Sequence, residues 1–236
     1  MDETIKLWLD MLDDKTLNGL MREVSDVEGS IKNAETIGTI DYIPVLETYL
    51  EVLKDMIKEQ KSKKGLLVVI DMQNDFIDGS LGTAEAVNII PNVIEKINNW
   101  EGDIIATRDT HFSNYLETKE GRNLPVPHCV IDTEGHKIHK DIFSALTNSK
   151  HFSVLNKLTF GSTALPEIIR GLGYNYVELV GLCTDICVVS NALLLKASYP
   201  ELDIAVDASC CAGVTPKSHN AAIQTMRMCQ IKIIGE

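Results

Sequence analysis

Leu66-Leu67-Val68-Val69-Ile70-Asp71 is an unbroken apolar run, β-branched in its second half, that stops on a carboxylate. Such a run suits a strand covered on both faces, the environment of a parallel sheet rather than of a half-solvated hairpin. Further along the chain the same texture returns in Asp103–Thr107, Phe152–Asn156, Tyr176–Val180, Ile204–Val206 and Ile231–Ile234. Between these runs lie segments of helical period. One is entered near Pro91 and carries Val93, Ile94 and Ile97; others span Ile138–Leu146, Leu165–Leu172 and Asp185–Ala197; the last opens on Thr215 as cap with Pro216 in its first turn. Strand alternating with helix predicts an α/β three-layer sandwich: a mostly parallel sheet of about six strands, helices on both faces, right-handed crossovers.

Residues 1–64 have a different texture. Ile5, Trp8, Leu9 and Leu12 fall at helical spacing, as do Leu17, Leu20, Met21 and Val24. A third stripe runs through Tyr42, Val45, Leu46, Tyr49, Leu53, Met56 and Ile57, with Glu47, Glu51, Lys54 and Lys58 on the other side. Lys58–Lys64 reads as a polar, basic hinge. The expected division is a helical extension, 1–64, acting as a lid or an oligomer contact, and a main domain, 65–236.

A net charge of −12 argues against a nucleic-acid surface and against docking on anionic lipid. No apolar run approaches the roughly twenty residues that span a bilayer, and Met1-Asp2-Glu3-Thr4 lacks the basic-then-apolar plan of a signal peptide. Six cysteines in a chain of this length do not make a small secreted disulfide framework, and none shows paired zinc-ribbon spacing. A soluble cytoplasmic protein, forming a homo-oligomer and acting on a small molecule, is expected.

In a parallel sheet, ligands bind beyond the carboxyl ends of the strands. That rule selects Asp71 at the first strand end, Asp109 and His111 after the second, Lys157 at the third, and Cys187 after the fourth. Gly181-Leu182-Cys183-Thr184-Asp185-Ile186-Cys187-Val188 reads as strand, then glycine, then helix start, with Thr184 as N-cap and Cys187 in the first turn. Free backbone N–H groups and the helix dipole there favour a thiolate able to attack a carbonyl; a buried, unreactive cysteine is the other reading. Lys157 follows an apolar strand, where an unpaired ammonium would be costly, so Asp71 is its natural partner. Asp109-Thr110-His111 places two ligands on one side of an extended segment, and His128 returns after Leu124-Pro125-Val126-Pro127. Two imidazoles and a carboxylate suit zinc, iron or manganese. The same residues can instead cap a turn and a loop.

Ile70-Asp71-Met72-Gln73-Asn74-Asp75-Phe76, the Lys157 strand end and Gly181–Val188 together resemble the isochorismatase-like cysteine hydrolase family, in the right order, over about residues 65–234. Asp109-Thr110-His111 and Pro127-His128-Cys129 are similar to the metal site of its nicotinamidase branch. The resemblance implies Asp71, rather than Asp75, as base, Lys157 beside it, and Cys187, rather than Cys183, as nucleophile. It also implies a cis peptide between Leu182 and Cys183, an oxyanion hole made by the Cys183 and Cys187 N–H groups, and Phe76 against the substrate ring, although core packing is the plainer reading of Phe76. It implies a divalent metal, zinc before iron or manganese, on Asp109, His111 and His128, with Glu117 as a fourth ligand. The implied activity is hydrolysis of nicotinamide to nicotinate and ammonia through a Cys187 thioester, with the metal holding the pyridine nitrogen.

Two departures bear on the substrate. Tyr115-Leu116-Glu117-Thr118 stands where many nicotinamidases carry a further histidine, and Leu124-Pro125 stands where they carry a ring-stacking aromatic. Thr118–Asn123 reads as an expanded loop. The alternatives are cysteine hydrolysis of another small amide, ureido or carbamoyl compound, and, in a different class, a metal-stabilised binding module with an unused thiol.

Overall fold

The computed structural model describes residues 3–12, 17–37, 40–62 and 64–236. The chain divides into two compact units, Met1–Lys63 and Lys64–Glu236. The first holds helices α1 (Glu3–Asp10), α2 (Leu17–Ile37) and α3 (Ile43–Ser62), with a 3₁₀ turn at Ile40–Tyr42. Its core gathers Ile5, Leu20, Val27, Tyr49 and Leu53, with Trp8 set edge-on to Tyr49 at 5.3 Å. Three expectations change here. Met21 is exposed because Leu20, Val24, Val27 and Ile31 carry the buried stripe of α2, and the position after Leu20 turns away from it. Tyr42 is exposed because it lies in the 3₁₀ turn, off the face of α3. The expected hinge is helical as far as Ser62, and position 63 and the side chain of Leu17 lie outside the described residues.

The second unit runs β1 (Gly65–Ile70), α4 (Asn74–Ile77), α5 (Ala84–Asn88), α6 (Ile90–Asn98), β2 (Asp103–Asp109), a 3₁₀ turn (Tyr115–Glu117), α7 (Lys119–Asn123), α8 (Lys140–Asn148), β3 (Phe152–Lys157), α9 (Ala164–Ile169), β4 (Tyr176–Leu182), a π turn (Thr184–Val188), α10 (Val189–Ser198), β5 (Asp203–Ala212), α11 (Pro216–Met228) and β6 (Lys232–Ile234). The six strands form one sheet in the order β3-β2-β1-β4-β5-β6, and all five pairings are parallel. Because side chains alternate along a strand, β1 feeds two cores. Leu67 and Val69 pack with Val93, Ile97, Ile142 and Leu146 on one face; Leu66, Val68 and Ile70 pack with Leu165, Leu195, Ile223 and Met226 on the other.

Most elements fall where periodicity predicts, with ends that move. β4 continues through Gly181, which stands at φ 113° and so close to β1 that a Cβ would lie 2.1 Å from the Ile70 carbonyl oxygen. Only glycine fits there. α9 stops at Ile169, short of the expected Leu172, where the backbone turns left-handed at Gly171. β5 is much longer than Ile204–Val206, and α4, α5 and α7 are single turns too brief for periodicity to reveal.

Candidate active site and metal centre

The carboxyl ends of β1, β2, β3 and β4 meet at one place. Asp71 leaves β1 with a left-handed backbone (φ 47°) and is fully buried. One carboxylate oxygen accepts a hydrogen bond from Thr107 Oγ1 (2.7 Å), and the other lies 2.7 Å from Lys157 Nζ. Lys157 closes β3 in register with Asp109 of β2, so its ammonium also reaches Asp109 Oδ1 at 3.1 Å. The third neighbour of that ammonium is Cys187 Sγ, at 3.5 Å. One buried cation thus touches an acid from β1, an acid from β2 and the sulfur from the turn after β4.

These contacts set the protonation states. Burial and the Asp71 charge push the Cys187 thiol well above the ordinary thiol range, outweighing Lys157. The sequence predicts a thiolate favoured by the helix start; the buried, anion-flanked setting instead opposes its ionisation. Burial raises the Asp71 carboxyl, more than Lys157 lowers it, and Asp109 adds to the rise. Burial alone would lower Lys157, but Asp71, Cys187 and Asp109 hold it charged. A carboxylate raised towards proton uptake therefore adjoins a thiol that must lose one.

The turn that carries Cys187 differs from the expected α-helical start. Thr184–Val188 forms a π turn, its cap position is Cys183 rather than Thr184, and no side chain caps it. The Cys183 carbonyl accepts the N–H groups of Ile186 and Val188 (both 3.1 Å). The Leu182–Cys183 peptide is cis.

Asp109 looks two ways. Its second oxygen lies 3.0 Å from His111 Nε2 and 3.6 Å from His128 Nε2. Burial would raise Asp109, but the two histidines and Lys157 outweigh it and hold the carboxyl well below the ordinary range. Asp109, His111, His128 and Glu120 present ligand atoms all within 4.8 Å of one another. The second carboxylate in this group, beside Asp109, is Glu120, in the first turn of α7, and not Glu117. Glu117 ends a 3₁₀ turn and faces solvent, whereas Thr118 caps α7 by accepting from Gly121 N–H (2.9 Å) and directs Glu120 inward. The Thr118 cap with an acid two residues on was the available signal, hidden because α7 is so short. The donors fit a divalent ion: His128 Nδ1 faces the Val126 carbonyl (2.8 Å), which leaves Nε2 free to ligate, and His111 Nε2 is buried without a partner in hydrogen-bonding geometry. Phe76 is buried in the core cluster and sets its ring 5.5 Å from that of His128.

Two residues of the first motif do unforeseen work. Gln73 is fully buried, accepts from Asp109 N–H (2.7 Å) and donates to the Asp109 and His136 carbonyls (both 2.9 Å), gripping the end of β2 by its backbone. Asp75 accepts from Cys129 N–H at 2.7 Å and so anchors the loop that delivers His128. Backbone-directed side chains of this kind leave no periodic trace in a sequence.

The family described as the isochorismatase domain matches residues 65–235. A nicotinamidase/pyrazinamidase of Mycobacterium tuberculosis is 24% identical over 183 residues, 71% of this chain and 97% of that one. A nicotinamidase of Schizosaccharomyces pombe is 26% identical over 214 residues, 72% and 92% of the two chains. Among solved structures, the pyrazinamidase of Pyrococcus horikoshii in complex with zinc is similar at a TM-score of 0.63 and 29% identity, covering 73% of this chain and 99% of that one.

Proposed function

The chain belongs to the isochorismatase family, and we propose that it is a cysteine amidohydrolase that converts nicotinamide to nicotinate and ammonia. The observation that carries the reading is the Lys157 ammonium in contact with Asp71, Asp109 and Cys187 Sγ together. Asp71 takes the thiol proton as Cys187 Sγ bonds to the amide carbon. Lys157 stays protonated and compensates the negative charge that moves between carboxylate and sulfur. The N–H groups of Cys183 and Cys187 donate to the developing oxyanion, where a single donor is worth roughly 3 kcal/mol. Asp71 returns the proton to the departing nitrogen, the C–N bond breaks, and ammonia leaves a Cys187 thioester. Asp71 then takes a proton from water as the water oxygen attacks that thioester, and the sulfur recovers its proton as nicotinate forms.

Asp109, His111, Glu120 and His128 would hold a divalent ion, and two imidazoles with two carboxylates suit zinc, iron or manganese, with zinc preferred from its presence in the similar pyrazinamidase. Bound there, the ion supplies a Lewis acid that can fix a ring nitrogen. Leu124, partly exposed where the resemblance implies a stacking aromatic, favours a second reading, a smaller non-aromatic amide or carbamoyl compound. Ammonia release from nicotinamide and from a panel of such amides, with metal content measured on the same sample, separates them: nicotinamide ranking low leaves the chemistry and overturns the substrate.

The six free cysteines suit a reducing cytoplasm, and among the described residues no helix is long and apolar enough to cross a membrane. The helical unit exposes Leu7, Met11, Met21 and Tyr42, which supports a role as a contact between copies in a homo-oligomer. Light scattering on the full chain and on a chain starting at Lys64 tests this, since the same number of subunits per assembly in both would rule it out.

A further inference from the structure

The oxyanion donors sit on the turn Cys183–Cys187, which must itself be held in place. Its cap residue has no side-chain bond, and a π turn is a poorer anchor than a capped α-helix. The structure supplies lateral anchors instead: Asn191 of α10 donates to the Cys187 carbonyl (2.8 Å), and the rest come from the segment after β5. Thr184, fully buried between the two oxyanion donors, shares a hydrogen bond with His219 Nδ1 (Thr184 Oγ1 to Nδ1, 2.8 Å). Asp185, next in the turn, accepts the Val214 N–H on both carboxylate oxygens (3.1 Å each). His219 is itself rigidly held. Its N–H donates to the Thr215 carbonyl (2.9 Å), Thr215 and Ser218 cap each other reciprocally, and Gly213 lies so close that a Cβ there would stand 2.9 Å from His219 Cβ. The frame is continuous with the sheet, since Ala212 at the end of β5 pairs with Leu182 immediately before the turn.

We propose that His219 is a positioning residue for the hydrolysis: through the Thr184 hydroxyl it fixes the turn whose Cys183 and Cys187 N–H groups receive the oxyanion. The inference rests on the cysteine-hydrolase reading. No hydrogen bond or ion pair joins His219 to the thiol, Asp71 or Lys157, so its effect falls on the transition state and not on assembly of the catalytic trio. Burial keeps the imidazole below its ordinary pKa, so it serves as a neutral hydrogen-bonding group at neutral pH.

The test compares His219→Ala, His219→Asn, Thr184→Val and Thr184→Ser by steady-state kinetics on whichever small amide the wild-type enzyme turns over fastest. Misplaced donors cost rate and not binding, so His219→Ala and Thr184→Val should each lower kcat about 10- to 100-fold with KM within about twofold of wild type. The double variant should be no worse than either single one, because both cut the same link. His219→Asn, whose amide can occupy the Nδ1 position, and Thr184→Ser, which keeps the hydroxyl, should recover most of the rate. Metal content and thermal midpoint, measured on each variant, identify a loss that is merely structural. An unchanged kcat in His219→Ala, equal losses in the Ala and Asn variants, or a loss that tracks the thermal midpoint would overturn the proposal. Turnover of another amide but not of nicotinamide would overturn the substrate alone and leave this inference under test. A wild type that hydrolyses no amide sinks both.

Discussion

Two clusters of buried charge sit on the same sheet and serve different ends. At the carboxyl ends of the strands, Lys157 faces Asp71, Asp109 and the Cys187 sulfur. On the face covered by α6, Lys96 faces Glu178 (2.6 Å) and Asp207 (2.8 Å), the outer oxygens of which accept from Tyr176 (2.6 Å) and Ser209 (2.6 Å). Both lysines are held charged against the cost of burial by their carboxylates. In the second cluster each of the four carboxylate oxygens has the Lys96 ammonium or a hydroxyl within 2.8 Å, Glu178 Oε1 meeting Lys96 outside hydrogen-bonding geometry. In the first, one neighbour is a thiol, and Asp109 turns its other oxygen to a group of metal-type donors. Burial and a shifted pKa are therefore common to both, and only the nucleophile and the strand-end position distinguish the site from the scaffold.

The contrast can be broken most directly at the sulfur. Cys187→Ala should lower ammonia release about 10⁴-fold or more while leaving the thermal midpoint and metal content as in wild type; residual turnover near the wild-type level would end the mechanism. Lys157→Met and Lys96→Met form the next comparison. Removing either cation strands two buried carboxylates and should cost about 3–5 kcal/mol in denaturant unfolding. The folded fraction of Lys157→Met should also lose activity about 10³-fold, whereas folded Lys96→Met should keep its kcat. Equal catalytic losses would make the two clusters alike. A smaller effect separates Glu120 from Glu117. Glu120→Gln should weaken metal binding, read by titration with a competing chelator, at least as much as the roughly 10- to 100-fold expected for loss of an outer-shell partner, and Glu117→Gln should leave it unchanged. The least change is in pH. Asp71 must be ionised to accept the thiol proton and its carboxyl is raised, so kcat/KM should fall as pH drops through a value above the ordinary aspartate pKa of about 3.9. Lys96→Met should leave that acid limb where it is.

The parallel sheet was legible because runs such as Leu66–Ile70 must be apolar on both faces, and the strand-end rule then pointed to Asp71, Asp109, His111, Lys157 and Cys187 before any contact was known. Glu120 was not legible. The capped turn that aims it inward is five residues long, too short for a hydrophobic period, and Glu117 lay closer to the expected position. Gln73 and Asp75 were invisible for a related reason: they bind backbone groups, and a backbone amide has no residue identity to read. The upward push on the Cys187 thiol is not legible in sequence, because the dipole of a helix start is a local property, whereas desolvation depends on everything packed around the sulfur.

The sequence by itself determined the α/β fold, the identity of the chemical groups at the strand ends and the order in which they arrive, because local hydrophobic pattern dictates which segments must be buried and where the chain must turn. Tertiary structure alone decided which of those groups touch. Lys157 meets Cys187 only because β3, β2, β1 and β4 lie side by side in that order, and Glu120 replaces Glu117 only because α7 turns Glu120 inward while the preceding 3₁₀ turn leaves Glu117 in solvent. Strand order and helix rotation are properties of the packed whole, set by how the two cores close over the sheet, and no window of sequence contains them.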